Sequence, residues 1–341
     1  MERFVFVAAV TIAIIFGIGA VFGGANSWHF EFDEDGEGGR SEIVELAPGT
    51  MEAQAFAGDR LRIRSAAANV TIIPEDRTDF LIEINNSAGQ APMPLVSTED
   101  GRVLIDGRLR NRISDCGPDV VELRGYGDVA AADLPRITIR APRNLDLDRS
   151  GAGTTEIGAT QELTVDFSGC GDANIGDVAE ALTIDLAGSG EINAGTARSL
   201  NVDLAGSGDV NVGAVAEGAS VDIAGSGTVT IASLAGEFSS DGAGSGAVTV
   251  EGGAITSADV DLAGSGDVTI AAAVQSLNVS IVGSGDVDVT ATVGEVDAEI
   301  AGSGNVTVAS ATGTVRRQVW GSGEVRVGGR AAPATPSETA E

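Results

Sequence analysis

Seven aspartates recur at one position of a repeat: Asp148, Asp166, Asp185, Asp203, Asp222, Asp241 and Asp261, followed in the same place by Ser280, Glu299 and Gln318. Each stands three residues before a Gly-x-Gly triplet. Carboxylates in a row suit general acid–base work, the binding of hard cations, or the display of charge. Stacked one per turn of a solenoid, they would lie ~4.8 Å apart. Two unit charges at that spacing repel by about 0.9 kcal/mol in water, and by several times that near a low-dielectric surface. Three things can offset such a column: backbone hydrogen bonds of the Asx-turn kind, carboxyl pKa values raised by the neighbours, or weakly bound cations such as Ca2+. The residues alone leave all three open, beside a reading in which the column is the face that meets a partner.

A second polar column follows the first glycine by three residues: Asp172, Glu191, Asp209, Thr228, Ala247, Asp267, Asp286, Asn305 and Glu324. Its interruption at Thr228 and Ala247 points to a solvated acidic face rather than a fixed row of metal ions. The nonapeptide GGxGxDxUx of calcium-binding β-helices differs from this repeat. Here the acid follows the second glycine directly and the motif comes once per coil. No cofactor is expected beyond weak Ca2+ binding.

Other chemistry finds little footing. The sole histidine, His29, lies in an acidic stretch outside the repeat, so no histidine-based triad or metal site can form there. Paired carboxylates of the glycosidase type stay open, since acids are abundant. A β-helix enzyme of that kind needs a cleft, and the repeat holds no long insertion to build one.

The elements that must position these acids are written in the repeat itself. The first glycine falls at 151, 169, 188, 206, 225, 244, 264, 283, 302 and 321, at intervals of 18, 19 or 20 residues. On both sides the chain alternates in register, with inward columns such as Val165/Ile184/Val202/Val221 and Phe167/Leu186/Leu204/Ile223. No helix-period stretch intervenes, which disfavours leucine-rich repeats, and a propeller blade needs about 40 residues. An all-β parallel β-helix, or β-solenoid, of about 18–20 residues per coil remains. By parity the glycines Gly188, Gly190, Gly206, Gly208, Gly225, Gly227, Gly264 and Gly266 face inward, at a corner where the opposite wall leaves no room for a Cβ. The flanking aspartates then face outward.

Composition bounds the setting. All 20 basic residues are arginine, against 50 carboxylates and a net charge of −30, so nucleic acid is excluded as a partner. Residues 4–22 are apolar except for Thr11, which suits one N-terminal helix acting as a transmembrane anchor. Gly23-Gly24-Ala25 would equally serve a signal peptidase. Either way the bulk of the chain is exported, and the membrane is met only through this segment. In that compartment Cys116 and Cys170 are candidates for a disulfide, with two small buried thiols as the alternative. The expected layout is an anchor or signal over 1–25, an acidic linker over 26–40, degenerate coils or a β-rich cap over 41–147, the regular β-helix over 148–327 and a disordered tail over 328–341.

The iterated LAGSGDV-x-V/I, with ITIRAPRNLDLDRSGAGTTEI before it, resembles the auto-transporter adhesin head GIN domain family of exported bacterial proteins. The resemblance is strong over about 135–330 and loose over 41–135. It implies a right-handed parallel β-helix on the bacterial envelope with no established enzymatic activity or cofactor. Two features depart from the pattern: Cys170 replaces the motif serine, and the chain ends soon after the last coil, so secretion through a translocator in cis is not expected. The reading that follows is a non-enzymatic envelope rod, periplasmic or at the surface, whose acidic repetitive face serves adhesion or scaffolding toward a glycan or an envelope or cell-surface protein. A carbohydrate-active β-helix enzyme and a weakly calcium-stabilised repeat are its rivals.

Overall fold

The computed structural model describes residues 43–117 and 119–332; the apolar helix expected near the N-terminus and the tail beyond 332 lie outside them. The described residues form one compact unit. Among the described residues helix is confined to a 3-10 turn at Ala131–Asp133, and no helix is long and apolar enough to cross a membrane. Everything else is strand and turn, wound as a β-solenoid with one Gly-x-Gly corner per coil.

The repeat forms parallel strands because each coil offers its neighbour the same alternation. Leu163 registers on Leu182 and Leu182 on Leu200, Val165 on Ile184 and Ile184 on Val202. These columns are fully buried and run as one continuous core. In the coil around residue 240 the columns are broken: Ser240 and Gly242 take positions that hold Val221 and Ile223 one coil earlier. A void of about 10 Å³ results, lined in part by these two residues, and the Ser240 hydroxyl is buried without a hydrogen-bond partner.

Two long faces meet at the glycine corner. The first starts at Leu95–Glu99, antiparallel to Arg102–Asp106, and continues through Arg60–Ala67, Asn144–Ala152 and Glu162–Gly169 up the repeat to Val315–Gly321. The second starts at Gly49–Ala57, antiparallel to Asp79–Asn86, passes through Arg136–Pro142, Asn69–Glu75 and Thr154–Ile157, and ends at Glu324–Val327 and Arg330–Ala331. The region before the regular repeat thus combines parallel strands that extend the stack with antiparallel strands that finish it.

The corner corrects the expectation of an opposing wall. What excludes a side chain there is the coil below. The Gly188 carbonyl accepts the Ser207 amide at 2.9 Å and the Gly206 carbonyl accepts the Ser226 amide at 2.8 Å, so the ladder runs straight through the bend. Gly206 has φ +135°, and a Cβ on it would overlap the Gly188 carbonyl. On Gly208 a Cβ would meet the Gly190 carbonyl oxygen at 2.6 Å and the Leu186 side chain at 2.8 Å. The second glycine is buried, but the first is only half-buried. Both are required because coils stack backbone on backbone at this point.

The first such corner carries a small three-stranded antiparallel sheet, Ile113–Cys116, Val120–Leu123 and Gly127–Ala130. Its apolar side, with Val121, Leu123 and Val129, packs with Leu109 and Leu134 on Ala67 and Ala152. Cys116 is disulfide-bonded to Cys170, the residue that stands where other coils have the motif serine. The cystine therefore staples this lobe to the rod.

Candidate functional site

The two polar columns flank the corner on its two sides, and the structure treats them differently. In the first, in-register strand pairing sets Asp148 beside Asp166, then Asp185, Asp203, Asp222, Asp241 and Asp261 in turn. Alternation turns the side chains away from the core, yet Asp148, Asp185, Asp203 and Asp222 are half-buried rather than fully exposed. Among the described residues none of these carboxyls accepts a backbone amide, so turn-type hydrogen bonds are not the offset.

Proton sharing is. Burial, with hydrogen bonds to and repulsion from Asp166 and Asp203, pushes the Asp185 carboxyl up to about 8. Burial and the charges of Asp241 and Asp203 push Asp222 up to about 7. Asp241 and Asp261 are also raised, by burial first, while the Ser280 hydroxyl pulls Asp261 back. A protonated Asp185 or Asp222 carboxyl has one O–H to donate to one neighbouring carboxylate, and the loss of its charge relieves the repulsion on both sides.

Arginine closes the lower end of the column. Arg62 Nε lies 3.0 Å from Asp148 and Arg60 Nε 3.2 Å from Asp146, although burial outweighs them and both carboxyls stay raised. At the upper end Glu299 accepts from the Gln318 amide at 3.1 Å.

The second column is more than a solvated face. The Asp172 carboxylate accepts the Glu191 amide at 3.1 Å, Asp267 accepts the Asp286 amide at 3.0 Å, and Asp286 accepts both the Asn305 amide at 2.8 Å and its side-chain nitrogen at 2.9 Å. Asn305 in turn accepts the Glu324 amide at 3.1 Å. In the coils between, the same amide bonds a glycine carbonyl instead: Asp209 to Gly190, Thr228 to Gly208 and Ala247 to Gly227 at 3.1 Å, and Asp267 to Gly246 at 3.2 Å. At Asp172, Asp267, Asp286 and Asn305 the second column therefore closes the hydrogen-bond ladder just past the corner, a role that Asp and Asn side chains can share.

Arg149 escaped the sequence reading. It sits in the inward column, in register with Phe167, and is 2% exposed. Its guanidinium donates to the carbonyls of Ala66 (3.1 Å), Ser150 (2.8 Å), Ala68 (3.2 Å) and Ala152 (2.7 Å), and burial lowers its pKa to about 10. The signal was a single charge in an otherwise apolar column, at the coil where the regular pattern begins. It gathers the carbonyls of the first corner, where the stack changes from irregular coils to the repeat.

An open groove of about 510 Å³ lies where Asn69–Glu75 meets Thr154–Ile157, lined by Ile72, Ile73, Pro74, Arg143 and Glu156 among others. Glu156 is its only lining carboxylate. No group of three or more His, Cys, Asp or Glu side chains is placed to hold a metal ion among the described residues.

Comparison with solved structures finds a protein described as a "putative lipid binding protein" from Parabacteroides distasonis, at 16% identity over 82% of this chain and 96% of that one, TM-score 0.37. A "putative adhesin" from the same organism matches at 13% identity over 83% and 96%, TM-score 0.38. Another from Bacteroides fragilis matches at 15% identity over 84% and 100%, TM-score 0.34. No curated protein matches the chain in sequence. Residues 177–292, the middle of both polar columns, match the family described as "Putative auto-transporter adhesin, head GIN domain".

Proposed function

We propose that this chain is a non-catalytic rod of the bacterial cell envelope, exported and wound right-handed as the family pattern implies, which presents a repetitive acidic face for adhesion or scaffolding. The observation that supports it most is the continuity of the carboxylate column across consecutive in-register coils. A surface of that kind offers many equal, shallow contacts, as suits avidity. A glycosidase instead needs two carboxyl groups across a substrate cleft, and the groove beside Glu156 supplies one. The partner is a glycan or a protein of the envelope or of another cell surface.

Purified chain screened against envelope and host glycans for binding and for turnover tests this reading. Binding without turnover, weakened by Asp203→Asn and Asp222→Asn together, is expected. Turnover of any polysaccharide that a single Asp→Asn change on the rod abolishes would overturn it. Protease accessibility in intact cells then decides between a periplasmic and a surface rod.

A further inference from the structure

Both ends of the rod leave strand edges open. Among the described residues Leu95–Glu99 and Val315–Gly321, at opposite ends of the first face, each pair on one side only, and so do Gly49–Ala57 and Arg330–Ala331 on the second. An unpaired edge is a row of backbone donors and acceptors that templates another strand.

The ends carry opposite charge. Gly49–Ala57 and Leu95–Glu99 contain Glu52 and Glu99 and no basic residue. Val315–Gly321, Glu324–Val327 and Arg330–Ala331 contain four arginines against the one carboxylate of Glu324. The rod between them is acidic along its sides, with Arg198 the one base from residue 151 to 315. Side-by-side packing of two copies is thereby opposed, and the ends are left as the places where copies can meet.

Each end of the first face also exposes one large apolar residue, Leu95 at 54% and Trp320 at 52%. Trp320 registers on Ala301, in a column that lower coils fill with Ala187, Ala205 and Ala263. An outward tryptophan at the last coil alone matches an apolar contact at that end and nowhere else along the column.

We infer that the C-terminal end of one rod docks on the N-terminal end of a second copy, Val315–Gly321 pairing with Leu95–Glu99 while Arg316, Arg326 and Arg330 face Glu52 and Glu99 of the neighbour. Such a head-to-tail contact is heterologous, so it propagates as an open filament and continues both faces of the rod. The chain's own residues 333–341 are the competing occupant of the open edge. Their sequence, PATPSETAE, has two prolines that cannot donate and no large apolar side chain to set against Trp320.

Sedimentation velocity of the full chain over a range of concentrations, with paired single-cysteine cross-linking, tests this without any adhesion ligand, so its failure and that of the adhesion reading are distinguishable. Oligomers that grow by single steps are expected, and they shrink with salt. The triple change Arg316→Glu, Arg326→Glu and Arg330→Glu weakens association at least tenfold, and so does Glu52→Arg with Glu99→Arg. Mixing the two reversed chains restores growing oligomers in which the two alternate at one-to-one composition, an outcome that a misfolded variant cannot give. A short bis-maleimide joins a Ser97→Cys chain to a Gln318→Cys chain, both in the outward column of Asp148, and joins neither to itself. Monomers at every concentration, self-linking of Gln318→Cys chains, or association that appears only when residues 333–341 are deleted would each overturn the proposal, the last by giving the edge to the chain's own tail.

Discussion

On either side of one glycine corner run two columns of the same residue type, and they contribute to the rod with opposite sign. Carboxylates after the corner accept amides of the next coil, as Asp286 does from Asn305 at 2.8 Å. A charged acceptor on a backbone donor is among the stronger hydrogen bonds. Carboxyls before the corner face their own kind and hold together by retaining protons, as at Asp185 and Asp222. Charge count alone would rank the columns alike. Where the nearest backbone donor points decides between them.

The largest effect is expected at the glycine that separates the columns. Gly206→Ala places a methyl group on the Gly188 carbonyl in a backbone region with φ +135°. It should cost about 3 kcal/mol or more, combining strain with a lost ladder bond. Urea titration followed by far-ultraviolet dichroism measures it. Ser207→Ala, at the exposed residue beside it, should stay within about 0.5 kcal/mol of the parent. Equal losses for the two would refute the stacked-corner account.

Next comes the second column. Asp286→Ala removes the acceptor of both the Asn305 amide and the Asn305 side chain, and should cost about 1–2 kcal/mol by the same titration. Ala247 already lacks a side-chain acceptor, and the amide one coil above it, that of Asp267, bonds the Gly246 carbonyl at 3.2 Å. If Asp286→Ala costs nothing, the Asn305 amide has taken that same detour, and the second column is decoration.

These differences explain what the sequence could show. The solenoid, its inward columns and the register of the carboxylates follow from side-chain parity and a period of 18–20 residues. Parity tells inside from outside, but it does not tell which backbone groups a side chain meets. For that reason parity shows the column of Asp172 and Asp267 only as a solvated face, and it does not show that the obstruction at Gly206 is the coil below. Arg149 was hidden for a related reason: an arginine among leucines is intelligible only once the carbonyls of Ala66 and Ala68, some eighty residues earlier, are brought beside it. The lobe at Ile113–Ala130 has no periodicity with the rod, so only the odd placement of Cys170 in a serine column hinted at it.

The first column should respond to pH in the opposite sense from ordinary salt-bridged acids. Asp185 is raised to about 8, above an unfolded value near 3.9. The folded state therefore binds more protons than the unfolded one between roughly pH 4 and 8, and stability falls as pH rises through that window. The contribution is complete below pH 4 and gone above about 8. Asp185→Asn keeps a donor and removes the titration. Thermal melts should show it equal to the parent near pH 4 and more stable by about 1.5–2 °C at pH 8.5, the shift that ~1 kcal/mol gives in a folded unit of this size. Asp222→Asn should behave alike with its rise centred lower, since that carboxyl is raised to about 7. A parent more stable at pH 8.5 than at pH 5 would contradict a proton-sharing column.

The finest test asks whether repulsion in that column is pairwise. Asp203 registers on Asp185 below and on Asp222 above. Asp185 and Asp222 are then two coils apart, ~9.6 Å, and share no direct contact. At pH 8.5 the gains of Asp185→Asn and Asp222→Asn should add to within about 0.5 kcal/mol, as for separated sites. Asp185→Asn with Asp203→Asn is different, because the repulsion between those two carboxylates can be relieved only once. Their combined gain should fall short of the sum by at least ~0.5 kcal/mol. Additivity in both pairs would mean that solvent screens each carboxylate separately. The half-burial of Asp185 and Asp203 argues against that, because a low-dielectric wall on one side confines the field to the column.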